Sequence, residues 1–218
     1  MENIKNKYAM DARKKVGTQL INEFGFLKKT PLRYYKQSSI ICMYFLMEKP
    51  SFTTYAFCGI VPLYLPGAID ILNGSRLSTA YRGQGYKDLD ETSDMLTAES
   101  WAESTIQLLR IDLLPFYEQL TNPLSLLSYL TNVCNNDKRF FISPFQKTIL
   151  KAYTLAYLGD NDAAVACMFD YKRREYQASQ NFNKIFEEIY SLRNADSDEY
   201  FRKVIMENNK KMGFKLAL

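Results

Sequence analysis

The side chains that could carry chemistry in this chain are carboxylates, lysines and thiols, because none of its 218 residues is histidine. An imidazole base, a Ser–His or Cys–His pair and a histidine-ligated metal are therefore excluded. Carboxylates are densest over 88–94, at Asp88, Asp90, Glu91 and Asp94. Their spacing differs from that of a calcium-binding EF-hand loop, so we interpret the segment as a solvated acidic loop. A histidine-free enzyme that uses carboxylates or lysine is an alternative, and it requires these groups to converge in a cleft.

The thiols and glycines also point away from a cofactor. Cys42, Cys58, Cys134 and Cys167 are too far apart to form a C-x-x-C pair, and free thiols in a reducing compartment explain them best. The isolated G-x-G at 83–85 lacks the third glycine of a dinucleotide-binding loop. We therefore expect no metal, no nucleotide site and no cofactor, and we expect that the chain is not an enzyme.

Basic and aromatic residues occur together in an early segment that is rich in strand-forming types. Tyrosine and arginine often anchor protein interfaces, and basic groups beside aromatic rings can also pair with and stack on nucleic acid. A strand whose polar face meets water explains the same pattern without a ligand. The predicted binding residues are Lys28, Lys29, Arg33, Tyr35, Tyr44 and Tyr55.

These residues require a sheet to position them, and the pattern predicts one. Aromatic and β-branched residues fill 33–36, 40–47 and 52–61, and the links between them are too short for parallel crossovers. The middle segment is apolar on both faces, which predicts an inner strand covered on each side. Residues 76–82 are predicted as a fourth strand.

The rest of the chain is predicted to be helical. Ala12, Val16 and Leu20 form an apolar stripe that ends before Gly25, and helical periodicity returns from Thr97 onwards. The polar run 135–139 is the predicted boundary between an α+β domain over 1–135 and a helical subdomain over 136–218. The predicted fold class is α+β, with an antiparallel sheet of three to four strands packed by helices and followed by a C-terminal all-helical extension.

The charge balance and the apolar runs bear on partners and location. The formal net charge is +4, and residues 1–93 hold 13 of the 28 basic residues but only 8 of the 24 acidic ones. This bias is mild and disfavours a dedicated nucleic-acid binder. The amino terminus lacks the apolar region of a signal peptide, and the apolar run 40–47 is too short to span a bilayer. We expect a cytoplasmic protein with no membrane association.

Two stretches resemble an uncharacterised bacterial family of unknown function, over about residues 8–130. The first is Leu20-Ile21-Asn22-Glu23-Phe24-Gly25-Phe26-Leu27-Lys28-Lys29 followed by Tyr34-Tyr35, which is similar to the helix end, turn and first aromatic strand of that family. The second is 102–130, with Leu114-Pro115-Phe116-Tyr117 and the pair Leu124 and Leu127, which is similar to the later helix and its Leu-Pro-Phe-aromatic signature. The stretch 66–94 departs from the compact hairpin of the family.

The resemblance implies an α+β domain and no established enzyme activity or catalytic residues. Members of the family look like small bacterial accessory proteins, some of them immunity proteins that bind a toxin. The favoured function is therefore that of a non-catalytic protein-binding module, with an immunity-type inhibitor as its most specific form. The alternative is small-molecule or nucleic-acid binding by the aromatic and basic face of the sheet.

Overall fold

The predicted α+β class is confirmed, with an antiparallel sheet followed by C-terminal helices. The computed structural model describes residues 2–37, 39–67, 73–133, 137–140, 142–174 and 180–214. A 3-10 turn lies at Arg82–Gln84 and a π-helical turn at Leu109–Leu113. The other elements are α1 Glu2–Asn22, β1 Leu27–Thr30, β2 Arg33–Lys36, β3 Ile41–Glu48, β4 Thr53–Pro62, β5 Asn73–Arg76, α2 Leu77–Ala80, β6 Leu89–Asp90, α3 Met95–Leu108, α4 Leu114–Gln119, α5 Pro123–Asn132, α6 Pro144–Tyr157, α7 Asn161–Arg174, α8 Gln180–Ser191 and α9 Ser197–Met212.

The sheet has more strands than the three to four predicted. Five strands follow the order β1-β2-β3-β4-β5, each antiparallel to its neighbour, and β6 pairs with β4 at Thr53 and Thr54. The predicted segments 33–36, 40–47 and 52–61 correspond to β2, β3 and β4, whereas β1 and β6 were not predicted. The predicted fourth strand over 76–82 is wrong, because the strand ends at Arg76 and Leu77 begins α2.

Strand β3 lies inside the sheet, as its two apolar faces predict. Every residue from Ile41 to Met47 is buried. On one face Tyr34 of β2 lies against Gly17 of α1, and on the other Tyr35 lies against Phe214, just beyond α9. The first and last described helices therefore cover opposite faces of the hairpin that flanks β3.

Helix α1 packs through a stripe that includes Ala12, Val16 and Leu20, all buried. The helix ends at Asn22, and Gly25 at φ +72° provides the left-handed residue predicted there. Gly17 also belongs to the buried side of the helix. A Cβ at this position would clash with the hydroxyl of Tyr34 and lie 3.0 Å from its Cζ atom.

We expect Gly17→Ala to lower the free energy of unfolding by about 1–2 kcal/mol, because the Tyr34 side chain is buried and has little room to move. In a Tyr34→Phe background the same substitution removes most of the clash and gains helix propensity, so its cost should fall to within about 0.5 kcal/mol of zero. Urea denaturation followed by the fluorescence of the single tryptophan, Trp101, measures all four corners of this cycle. Equal costs in both backgrounds would contradict the predicted contact.

Several helices begin at side-chain caps. Ser143 and Gln146 form a capping box at the start of α6. The Ser143 hydroxyl accepts a hydrogen bond from the Gln146 backbone amide at 3.2 Å, and the Gln146 side chain accepts one from the Ser143 backbone amide at 3.0 Å. Asp196 accepts from the Glu199 amide at 3.0 Å and begins α9. These caps satisfy amides that have no partner inside their own helix and fix where each helix starts.

Contacts cross the position at which a domain boundary was predicted. The hydroxyls of Tyr64 and Thr154 lie 2.9 Å apart, and the Asn208 amide donates to the carbonyls of Leu63 and Leu65 at 2.7 and 2.9 Å. The predicted point of division, between residues 135 and 136, lies outside the described residues. The division into two domains stays a prediction, and these buried bonds show how closely α6 and α9 associate with the end of β4.

Candidate binding surface

The structure does not bring the six predicted binding residues onto one open face. Lys28, Lys29 and Arg33 are exposed, but Tyr35 and Tyr44 are only 6% and 2% exposed. The tyrosines were predicted to lie on a binding surface, but two of them belong to the core. The physical reason lies in what covers each ring.

The Tyr35 ring is covered from the far end of the chain. Phe214 meets it edge-on, with the ring centroids 6.3 Å apart. Tyr44 lies beside Tyr35 on the same face, since the two residues pair directly across β2 and β3. Burial raises the pKa of Tyr44 well above its usual value, as expected for a hydroxyl without access to water.

Tyr55 is half-buried and has a cation above it. The guanidinium carbon of Arg76 lies 3.6 Å from the centroid of the Tyr55 ring, and Arg76 also forms an ion pair with Asp88. The accessible ring face is therefore occupied by a side chain of the same protein. None of the three predicted tyrosines offers an open ring on which a base could stack.

The three predicted cations do lie at one end of the sheet, and α9 brings others to them. The Nζ atom of Lys29 lies 3.6 Å from the place that a Cβ of Gly213 would occupy, immediately after α9. Lys210 and Lys211 are exposed in the last turn of that helix. We call Lys28, Lys29, Arg33, Lys210 and Lys211 the basic end of the molecule.

The members of the basic end lie on different faces of the sheet. Arg33 and Tyr35 point to the same side, and they are two residues apart, or roughly 7 Å. Lys28 pairs with Tyr34 and therefore points to the opposite side, towards α1. Lys29, Arg33 and the end of α9 consequently form the denser part of the cluster.

The charge of the basic end is not neutralised within the described part of the chain. No described acidic side chain forms an ion pair with any of its five members, whereas Lys36, on the same strand as Arg33, pairs with Glu118 at 2.8 Å. Part of the cluster has a structural role, since cations near the carboxyl end of a helix interact favourably with its dipole. The sequence shows Lys210 and Lys211 as neighbours, but no local pattern places them beside β1.

A shallow open groove of about 330 Å³ adjoins the basic end. It lies between the β1–β2 turn and the start of the β3–β4 turn. Leu32, Leu46 and Pro50 contribute its apolar lining, and Arg33 and Lys49 line it with positive charge. We call this the hairpin groove. A second hollow, of about 240 Å³, is lined by residues of α6 and α9, including Tyr157, Asp198 and Arg202.

Asp90 and Asp94 of the acidic segment are exposed, as expected for a solvated loop, but Glu91 is not. Glu91 is only 2% exposed, and both Arg13 of α1 and Lys49 of the β3–β4 turn form ion pairs with it, the latter at 3.0 Å. The Thr54 hydroxyl donates to the same carboxylate at 2.7 Å. Burial alone would raise the pKa of Glu91, but hydrogen bonds from Thr54 and Lys49 and the charge of Arg13 outweigh it and lower the pKa below 4.5. This cluster joins α1 to the sheet.

This cluster predicts a loss of stability in acid. Because the pKa of Glu91 is lower in the folded chain than in the unfolded one, its contribution is complete above about pH 5 and disappears as the pH falls through the folded value. We expect the wild type to lose stability relative to the Arg13→Met/Glu91→Leu variant as the pH falls from 6 to about 3. Urea midpoints across this range measure it. A difference that does not change with pH would contradict the assignment.

A second ionic cluster surrounds the π-helical turn that links α3 to α4. Asp112 accepts from the Tyr81 hydroxyl at 2.6 Å and from Arg139 at 2.8 Å, and Arg139 also binds Asp137 at 2.7 Å. Turns of this kind are frequent at functional sites. Here one guanidinium binds both carboxylates, so the cluster holds the 137–140 loop against the helices. The sequence pointed to neither Asp112 nor Arg139.

The thiols and carboxylates do not assemble into a metal centre in the described part of the chain, where no group of three or more candidate ligands converges. Cys42 and Cys58 are free and buried, and burial raises the pKa of the Cys42 thiol to about 12. Cys134 lies outside the described residues. None of the described helices is both long enough and apolar enough to cross a membrane.

No family model, curated protein or solved structure matches the chain. The resemblance to the bacterial family of unknown function therefore stays a prediction. The surface of the chain is therefore the guide to what it binds. Three of the six predicted binding residues lie in the basic end, and the hairpin groove adjoins it.

Proposed function

We propose that this chain is a non-catalytic protein-binding module and that its contact surface is the basic end. The observation that carries the proposal is a set of five exposed cations, gathered from two hairpin strands and the end of α9, without ion-pair partners among the described residues. Concentrated charge of one sign speeds encounter with a partner of opposite sign and selects against partners of like sign. An acidic protein surface fits these properties.

The closed positions of the tyrosines separate this proposal from nucleic-acid binding. Sequence-tolerant binding of single strands combines a basic groove with open aromatic rings on which bases stack. Here Tyr35 and Tyr44 are buried and Tyr55 is covered by Arg76. An inhibitor of the immunity type is the specific form of the proposal that the family resemblance supports, acting in the cytoplasm of a bacterial cell.

Affinity capture with a charge-reversed bait tests the proposal. The whole chain, the variant Lys29→Glu/Arg33→Glu/Lys210→Glu and the control Lys14→Glu/Lys87→Glu/Lys184→Glu are used as baits in lysate from the source cells. The control changes the net charge equally at exposed lysines elsewhere. We expect one stoichiometric protein with the wild type and the control and its loss with the variant, confirmed by calorimetry with the purified partner. No stoichiometric protein, or equal recovery by all three baits, would contradict the proposal.

A further inference from the structure

The hairpin groove and the basic end share Arg33, and this overlap specifies the kind of partner. We propose that the groove receives an apolar side chain of an extended acidic protein segment, whose carboxylates pair with Arg33 and Lys29. This inference rests on the proposed function and adds the chemistry of the bound segment. It follows from the charges around the groove, its size and the nature of the neighbouring edge strand.

Charge complementarity determines which end of the groove takes the carboxylates. Lys49 lines the groove and contacts Glu91 at 3.0 Å, a carboxylate that it shares with Arg13, whereas Arg33 has no ion-pair partner among the described residues. Glu48 also lines the groove and is exposed, so it repels an acidic residue placed beside it. The segment therefore lies with its apolar residue over Leu32 and Leu46 and its acidic residues towards Arg33 and Lys29.

The size and openness of the groove favour a protein segment over an enclosed small molecule. Its volume of about 330 Å³ is at the lower end of the range for ligand pockets, roughly 300–1,000 Å³, and such pockets bury most of their ligand. A shallow groove that opens to solvent cannot bury a small molecule in this way. It can accept one or two side chains of a chain that continues across the surface on either side.

The edge strand next to the groove argues against binding by strand addition. β1 is the outer strand of the sheet, all four of its residues are exposed, and its pairing with β2 is interrupted between Lys28 and Thr30. Lysines and an irregular register are features that block pairing with a further strand. The segment is thus held by side chains in the groove and by ion pairs, not by a ladder of backbone hydrogen bonds.

Fluorescence anisotropy with labelled peptides tests the inference on the full chain. The probe is a peptide with a leucine pair followed by a run of glutamates, and two further peptides replace the leucines by serine or the glutamates by lysine. Thr30→Trp fills the groove without changing charge, at a position that is exposed in the wild type. Lys29→Glu/Arg33→Glu reverses the charge at these two positions, and Lys14→Glu/Lys184→Glu is the matched control. Circular dichroism verifies that each variant is folded, and Trp101 fluorescence does so for the variants that keep a single tryptophan.

We expect the leucine–glutamate peptide to bind the wild type and the control equally, and to bind about tenfold more weakly to Thr30→Trp and to Lys29→Glu/Arg33→Glu. The serine and lysine peptides should bind more weakly than the probe. Equal binding of the serine peptide, or binding that Thr30→Trp leaves unchanged, overturns the groove inference while the basic end remains a protein-binding surface. A single-stranded oligothymidine that binds more tightly than the probe and is lost in the charge variant overturns both.

Discussion

Gly74→Ala is expected to lower the free energy of unfolding by about 3 kcal/mol. A Cβ at this position would clash with the carbonyl oxygen of Cys58 and lie 2.6 Å from the Cα atom of Gly59. Both atoms belong to the backbone of β4, directly across the ladder from β5, so neither can rotate away. Relief would require the two strands to separate.

The contacts of Gly74 provide sharp controls. The Tyr44 hydroxyl lies 2.8 Å from the same Cβ position, so a Tyr44→Phe background removes one of the close contacts but leaves the backbone ones. We therefore expect no rescue, in contrast to the Gly17 and Tyr34 pair. Gly83→Ala adds its methyl group to open space and should cost less than about 0.5 kcal/mol. Urea denaturation measures each variant, and a Gly74→Ala protein as stable as Gly83→Ala would refute the predicted close approach.

Arg13→Met is expected to cost about 3 kcal/mol, because it leaves the buried carboxylate of Glu91 with less compensation. Lys49 remains as a partner, but its own side chain is partly exposed and its ion pair is correspondingly screened. Replacing both members of the pair, as Arg13→Met/Glu91→Leu, should recover most of the loss, since an apolar pair no longer has to bury a charge.

Lys15 supplies the matched control on the same helix. It forms ion pairs with Glu99 and Glu103 at 3.4 and 3.1 Å, and all three side chains are substantially exposed. Lys15→Met should therefore change stability by no more than about 1 kcal/mol. Urea denaturation of the wild type, Arg13→Met, Arg13→Met/Glu91→Leu and Lys15→Met tests both expectations. Similar losses of stability for Arg13→Met and Lys15→Met would show that burial of Glu91 is not the decisive factor.

Much of the fold could be predicted because its signals are local. The apolar faces of β3 and the glycine that ends α1 each depend on residues a few positions apart. β1 was missed because its four exposed residues have no apolar alternation to show. The run Asn73-Gly74-Ser75 has a composition typical of turns, whereas Gly74 is needed there to let two strands approach.

The candidate site was less predictable, because it depends on what covers each side chain. Lys28, Lys29 and Arg33 were found through their residue types, and they are exposed. Tyr35 has the same appearance in sequence as an interface tyrosine, and only the position of Phe214 shows that it belongs to the core. Glu91 was misread for the same reason, since nothing near it in sequence reveals the approach of Arg13.

The meeting of α9 with the first hairpin has a consequence for the order of events during synthesis. The strands that carry Lys29 and Arg33 leave the ribosome before the residues that pack over Tyr35, which are made more than a hundred positions later. A polypeptide translated only as far as the sheet would carry these cations beside an uncovered aromatic ring, a different surface from that of the folded chain. Recognition through the basic end would therefore be reserved for chains translated at least as far as Phe214.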